Sequence, residues 1–403
     1  MDARSITVVS TEQQNQLRDS MRSFFSSAYA FDRRQRLLAE PTDSAGVWRA
    51  LADQLGILAA PFDEEVGGFG WSSAESLVIM EEIGHHLVLE PYLPTVILAG
   101  GLLKRSRSPR AGDLIREIIS GRLRMCLAYL EPNARYNWRK VETTAVHAAS
   151  GYKIDGRKSV VVGGPTADKM IVTARLRKPS SAGGEVGLFV VDGSSNRISR
   201  RDYRLIDGRP ASEVTLDGVW VPEDAFISDG AVVETIETVL DEGTVAVCAE
   251  ATALMRRMVN DTADYLKQRK QFGVQLSQFQ ALRHRMVEML VSVEEAGAIT
   301  AIAASSLHCD KAERIRAVSA AKALVGRACQ FVARNAVQLH GAIGVTDEIP
   351  VAHCFKRATV FETEFGSTEF HLDRYEGTFG ATERERPFAR EPKLNGNPTE
   401  ELL

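Results

Sequence analysis

The apolar positions divide the chain into three textures. From about residue 10 to 123 their spacing predicts helices. Amphipathic stretches run over 16–29 and 47–58, the second closing near Gly56. A third covers 74–87, behind the loop Val66-Gly67-Gly68-Phe69-Gly70-Trp71. From about 125 to 227 short β-branched runs at 152–156, 159–162 and 170–173 are joined by alternating runs at 185–191 and 213–219, with Gly, Asp and Pro between them. Short strands at this spacing predict a closed or sandwiched antiparallel β domain. No strand leads through G-x-G-x-x-G into a helix, which argues against a Rossmann domain. From about residue 232 the stripes are helical and long. Leu254, Met255, Met258, Val259 and Thr262 form one, Phe279, Leu282, Met286 and Met289 another, and Val318, Ala321, Val325 and Val332 a third. Such stripes predict a helical bundle.

The expected fold class is therefore α+β, with an N-terminal helical domain (1–123), a middle antiparallel β domain (124–230) and a C-terminal four-helix bundle (231–384). The charged, Pro-rich end (385–403) is expected to be a flexible tail. A chain of 403 residues exceeds one hydrophobic core, consistent with that division.

Charge and cysteine usage narrow the partners. Lys and Arg number 49 against 53 Asp and Glu, so no basic excess points to nucleic acid or an anionic membrane. No apolar run approaches the ~20 residues of a membrane helix, and the first residues lack the apolar centre of a signal peptide. The cysteines (Cys126, Cys248, Cys309, Cys329, Cys354) are scattered, which suits a reducing cytoplasm. No His or Cys spacing suggests a metal site.

Three segments carry chemistry. The first is Arg269-Lys270-Gln271-Phe272-Gly273, followed by Gln275-Leu276 and Phe279-Gln280. The second is Gln338-Leu339-His340-Gly341-Ala342-Ile343-Gly344, and the third Gly366-Ser367-Thr368-Glu369. In this order and spacing they resemble the acyl-CoA dehydrogenase family, over about residues 10–380. The resemblance implies FAD as cofactor and α,β-desaturation of an acyl-CoA thioester. It also implies that Arg269, Gln271, Phe272, Leu276, Phe279, Gln280, Gln338, Leu339, Gly341, Ala342 and Gly344 hold the ADP half of an FAD whose ring lies in a neighbouring subunit. The residue types suit that task. A pyrophosphate wants a planar, permanently charged fork such as Arg269. Glycines such as Gly341 and Gly344 let backbone approach it closely.

Elsewhere the chain departs from the family. The usual base is a Glu directly before the third segment's Gly; here that position is Phe365. The alternative base, on the first bundle helix, aligns with Gly243, followed by Thr244. Neither residue can accept a proton, so no catalytic residue is assigned. The flavin-ring segment Thr-Glu-Pro-x-x-Gly-Ser-Asp reads Leu130-Glu131-Pro132-Asn133-Ala134-Arg135-Tyr136-Asn137. A second, Lys-x-Trp-Ile-Thr-Asn-Gly, reads Lys158-Ser159-Val160-Val161-Val162-Gly163-Gly164, so that Val160 and Val162 replace the ring's Trp and Thr partners.

What the chain would lend is present; what it would need for itself is altered. With Glu90-Pro91-Tyr92-Leu93, Cys248-Ala249-Glu250-Ala251 and Phe365-Gly366, this resembles the small subunit of bacterial heteromeric acyl-CoA dehydrogenases such as the pimeloyl-CoA enzyme. The implied partners are a catalytic large subunit in an α2β2 tetramer, an acyl-CoA substrate, and electron-transfer flavoprotein as acceptor. Two alternatives stand beside this reading. One is a self-sufficient homomeric enzyme with its base relocated to Glu364 or Glu242; the other is a non-redox acyl-CoA-binding scaffold. The acyl chain itself, whether fatty, dicarboxylic or steroid-derived, is not legible.

Overall fold

Helix α1 (Glu12–Ala28) opens on a capping box in which Thr11 and Gln14 satisfy each other's backbone N–H groups, and it buries Leu17, Met21 and Phe25 at a spacing of four. The computed structural model describes residues 11–39, 44–177, 184–228 and 230–379. Helices α2 (Phe31–Ala39) and α3 (Ser44–Asp53) follow. The helix expected over 47–58 stops at Asp53 because Gly56 turns left-handed (φ 66°), and a 3₁₀ turn, Ile57–Ala59, takes over. A second capping box, Ser72 with Glu75, starts α4 (Ser73–His86). A π-helical turn, Leu93–Ala99, then leads into α5 (Gly100–Lys104), and α6 (Pro109–Ile119) closes the region.

The middle region is one seven-stranded sheet of order β1-β4-β2-β3-β7-β6, with β5 on the other edge of β4. Its strands are β1 (Met125–Ala128), β2 (Thr144–Ala148), β3 (Gly151–Val162), β4 (Lys169–Arg177), β5 (Val186–Asp192), β6 (Ile198–Arg204) and β7 (Pro210–Pro222). The sheet is not purely antiparallel, as the alternation suggested: β1/β4 and β2/β4 run parallel. Sequential strands would pair antiparallel through hairpins. Here the β2–β3 hairpin intervenes between β1 and β4, which supplies the long connection a parallel pair needs.

The bundle is built on α7 (Val232–Gln268), α8 (Gln280–Ser305) and α9 (Lys311–His340), with the shorter α10 (Pro350–Thr363) and α11 (Thr368–Glu376) packed against α9. Helices α4 and α7 approach so closely that a Cβ at Gly84 would lie 2.2 Å from the Glu250 carbonyl. Buried Arg34 ties the three regions together. It donates to the Leu87 carbonyl at the end of α4 (2.9 Å), to the Asp207 carbonyl between β6 and β7 (3.2 Å) and to His353 Nδ1 of α10 (3.0 Å). No helix of the described residues is long and apolar enough to cross a membrane. Residues 380–384 and the tail expected at 385–403 lie outside the described residues.

Candidate functional site

A cavity of about 610 Å³ opens between the sheet, the π-helical turn and α7, and the connection from α10 to α11 forms one wall. That connection is clamped. Phe365 and Gly366 both take positive φ (60° and 123°). Buried Lys322 of α9 donates to the carbonyls of Phe361 (3.0 Å) and Gly366 (2.8 Å), and His371 Nε2 meets the Phe365 carbonyl at 3.1 Å. A Cβ at Gly366 would stand 2.3 Å from the Phe370 ring, so only glycine fits there.

This geometry brings together the two positions where the family carries its base. The Phe365 ring lies 3.0 Å from where a Gly243 Cβ would be, and Leu98 lies 2.8 Å from the same point. The glycine is thus the socket for an aromatic ring in the cleft wall, and no carboxylate stands at either place.

The two displaced carboxylates do not replace it. Glu364 lines the cleft, but Arg209 grips both its oxygens (3.0 Å each) and Arg357 adds a third contact (2.9 Å). Arg357 also grips Glu250 (2.6 and 2.7 Å), and Arg209 grips Asp207 (2.8 Å). Burial alone would raise the Glu364 carboxyl, yet Arg209 and Arg357 outweigh it and hold it at about 2. A carboxylate so stabilised is a poor proton acceptor. Glu242 points elsewhere: it pairs with Arg105 and lines a separate cavity of about 260 Å³ across α7 from the cleft. The relocated-base alternative therefore has no suitable group at either residue.

The pinned Glu364 makes a prediction. Its folded pKa lies below the unfolded one, so its stabilisation is present above about pH 4.5 and is lost as pH falls towards 2. The shift corresponds to roughly 3 kcal/mol. Urea unfolding should show Glu364→Gln clearly weaker than the parent at pH 7, with the gap closing by pH 2.5. A gap independent of pH would contradict the pairing.

The segments that would face a flavin ring are apolar or structural. Val160 sits in a bulge of β3 with φ 50°, and with Val162 it presents a branched aliphatic side chain to the cleft. Its N–H donates to Glu213 (3.3 Å). Glu131, retained from the family segment, accepts from the backbone N–H groups of Glu142 (2.6 Å) and Thr143 (3.1 Å) and from buried Lys158 (2.6 Å). It locks the sheet and leaves no oxygen for a ligand. Burial lowers Lys158 to about 8 against the pull of Glu131. The Tyr136 ring lies 5.3 Å from Phe370, bridging sheet and bundle across the cleft.

The candidate cofactor-binding residues lie elsewhere, and none lines this cleft. Arg269 ends α7, and Lys270–Gln271 and Val274–Gln275 form a hairpin turning at Phe272-Gly273, both with positive φ (53° and 81°). Phe272 is 90% exposed. Gln271, Gln280, Gln338, Gly341 and Ala342 are exposed, Leu276, Phe279 and Leu339 half-buried, and Gly344 buried. Tyr265 of α7 stacks on His340 of α9 at 4.5 Å, which sets the two motifs side by side. Gly341 takes φ 69°, and a Cβ at Gly344 would meet the Val337 carbonyl at 2.7 Å. The Arg269 side chain is exposed and has no hydrogen-bond or ion-pair partner among the described residues. An unpartnered guanidinium, exposed amides and a left-handed glycine at a helix end fit an ADP moiety; Val160 and Val162 of the cleft offer no side-chain donor to a flavin ring.

Sequence reasoning missed the Arg209–Glu364–Arg357–Glu250–Asp207 network and Lys322. One signal was available: Arg357 falls on the apolar stripe of α10 with Cys354, Ala358 and Phe361, where an arginine must have buried partners.

The chain matches the acyl-CoA dehydrogenase N-terminal domain over residues 11–99, the middle domain over 126–219 and the C-terminal domain over 233–376. This chain belongs to the acyl-CoA dehydrogenase family. Its members are FAD-dependent oxidoreductases, and FAD is the cofactor. The chain is 24% identical over 369 residues to a caffeyl-CoA reductase–Etf complex subunit, CarC, of Acetobacterium woodii, covering 89% of this chain and 96% of that one. Among solved structures, a variant of the steroid acyl-CoA dehydrogenase Tcur3481–Tcur3483 is 25% identical with a TM-score of 0.80, covering 91% of this chain and 97% of that one. The ChsE4–ChsE5 complex of Mycobacterium tuberculosis shares the fold at 23% identity and a TM-score of 0.82, over 92% and 97% of the two chains.

Proposed function

We propose that this chain is the lending subunit of a heteromeric acyl-CoA dehydrogenase, joined to a catalytic large subunit in an α2β2 tetramer. One observation carries the reading: both base positions are filled by a Phe365–Gly243 contact, while the candidate cofactor-binding residues, with Arg269 and the glutamines exposed among them, lie outside the chain's own cleft. Two of the similar solved structures are two-component assemblies, which supports the same arrangement.

FAD, when bound, supplies the acceptor for the substrate's β-hydride. This chain's part is to hold it. Arg269 would neutralise the pyrophosphate, and the Gly341–Gly344 turn would bring backbone N–H groups against it. Gln271, Gln280 and Gln338 would hydrogen-bond the nucleotide half, while Phe272, Leu276, Phe279, Leu339 and Ala342 would cover its apolar edges. Proton abstraction from the acyl-CoA α-carbon falls to a carboxylate of the large subunit. The similarity to a subunit of an Etf complex supports electron-transfer flavoprotein as the acceptor.

The test is purification of the chain alone and together with a related acyl-CoA dehydrogenase chain that carries the base. The single chain should be colourless and inactive, and the pair yellow and able to oxidise acyl-CoA. Retained flavin with turnover in the lone chain would end this reading.

A further inference from the structure

A further cavity, of about 320 Å³, lies behind the cleft between α2, the segment Leu89–Pro91 and the β6–β7 side of the sheet. Its size is at the lower end of the range usual for small-molecule sites. The cleft and this cavity share no lining residue. Between them Gly163 packs against Pro91 and Pro94, with only about 30 Å³ of space there.

Arg124 lines this rear cavity, and it differs from the other buried cations. Arg34, Arg209, Arg314 and Arg357 are all engaged with carbonyls, carboxylates or a histidine nitrogen. The Arg124 guanidinium lies over the ring of buried Trp48, 5.7 Å from its centroid. It is half-buried, and its side chain makes no hydrogen bond or ion pair among the described residues. Burial lowers its pKa, with Asp168 and Glu90 opposing that only at a distance. A guanidinium carries five donors in a fixed plane, and leaving them without acceptors in a half-buried place is costly. The contact with the indole face restrains the guanidinium, which limits the freedom it loses when a ligand binds.

The remaining walls select the ligand. Leu37, Leu89, Pro91, Pro165 and Pro210 are apolar. Asp202 also lines the cavity, where it accepts from Ser212 (2.6 Å), and so does buried Glu90, whose Oε2 accepts from Tyr29. A second arginine, Arg204, also lines the cavity but donates to the Leu38 carbonyl, so Arg124 is the cation left without an acceptor there. Two acids at the walls disfavour a dianion, whereas the Arg124 fork facing an aliphatic surface suits a single carboxylate with an apolar body.

We infer that this rear cavity is a binding site for a small aliphatic carboxylate, held by the Arg124 fork with its chain against Leu37, Leu89 and the prolines. None of the candidate cofactor-binding residues lines this cavity, and the inference does not depend on the lending role.

The probe is octanoate, titrated calorimetrically into the full chain, with inorganic phosphate as the comparison anion. Octanoate should bind saturably and phosphate much more weakly. Arg124→Gln should weaken octanoate by roughly tenfold or more, the scale of a lost charge-assisted pair. Arg135→Gln, at the cleft, should leave it unchanged. If Arg124→Gln fails to fold, the unaltered protein still decides. Octanoate should protect Arg124 from phenylglyoxal, read by peptide mass spectrometry, while exposed Arg201 stays reactive. Unchanged octanoate affinity in Arg124→Gln, phosphate binding as tight as octanoate, or unprotected Arg124 at saturating octanoate would each overturn the assignment.

Discussion

Arg357→Met is expected to destabilise the fold by about 3–5 kcal/mol, the usual consequence of removing one partner from a buried ion network. The substitution keeps volume but strips the donors from Glu250, which Arg357 grips at 2.6 and 2.7 Å, and from one side of Glu364. Glu250 is buried within α7 and would then be an uncompensated charge. The network already holds two guanidinium groups against the carboxylates of Asp207, Glu250 and Glu364, so losing one cation leaves a larger excess of negative charge. Against a typical total stability of about 5–15 kcal/mol, that loss is a large fraction. Arg357→Lys should recover little, because a single ammonium cannot span two carboxylates as the fork does. Urea unfolding at pH 7 checks both. A change under about 1 kcal/mol would mean that the network exchanges freely with water.

Arg269→Gln is expected to act on the cofactor and not on the fold. The side chain is exposed and unpartnered among the described residues, so the unfolding free energy of the single chain should stay within about 0.5 kcal/mol of the parent. In the proposed pair, by contrast, FAD affinity should fall roughly a hundredfold, the scale of losing a bidentate contact to a phosphate. Flavin retention through gel filtration, followed by absorbance, reads this directly. Full retention of FAD by the Arg269→Gln pair would remove the lending role from this residue.

The helical and β textures were legible because they rest on period and punctuation. The stripes of α7, α8 and α9 are local signals. The parallel pairings of β4 were not, since alternation reports which face is buried and says nothing of which neighbour lies alongside. The motifs proposed to hold a dinucleotide stand out because each is a contiguous run at a helix end. The floor of the cleft was not: Asp207, Arg209, Glu250, Arg357 and Glu364 meet only through tertiary packing, and Arg209 reaches Glu364 across 155 positions. The two missing bases were each visible as a departure, yet only the fold shows that Phe365 and Gly243 are one contact.

That contact constrains what sequence change can do. A carboxylate side chain at position 243 would collide with the ring of Phe365 and with Leu98, so it is not tolerated while the aromatic remains. Removing the aromatic first leaves a hollow beside a glycine in the middle of the longest helix, a weakened intermediate. Any mutational path that places a carboxylate on α7 must cross that valley, so under the proposed lending role the arrangement would work as a ratchet.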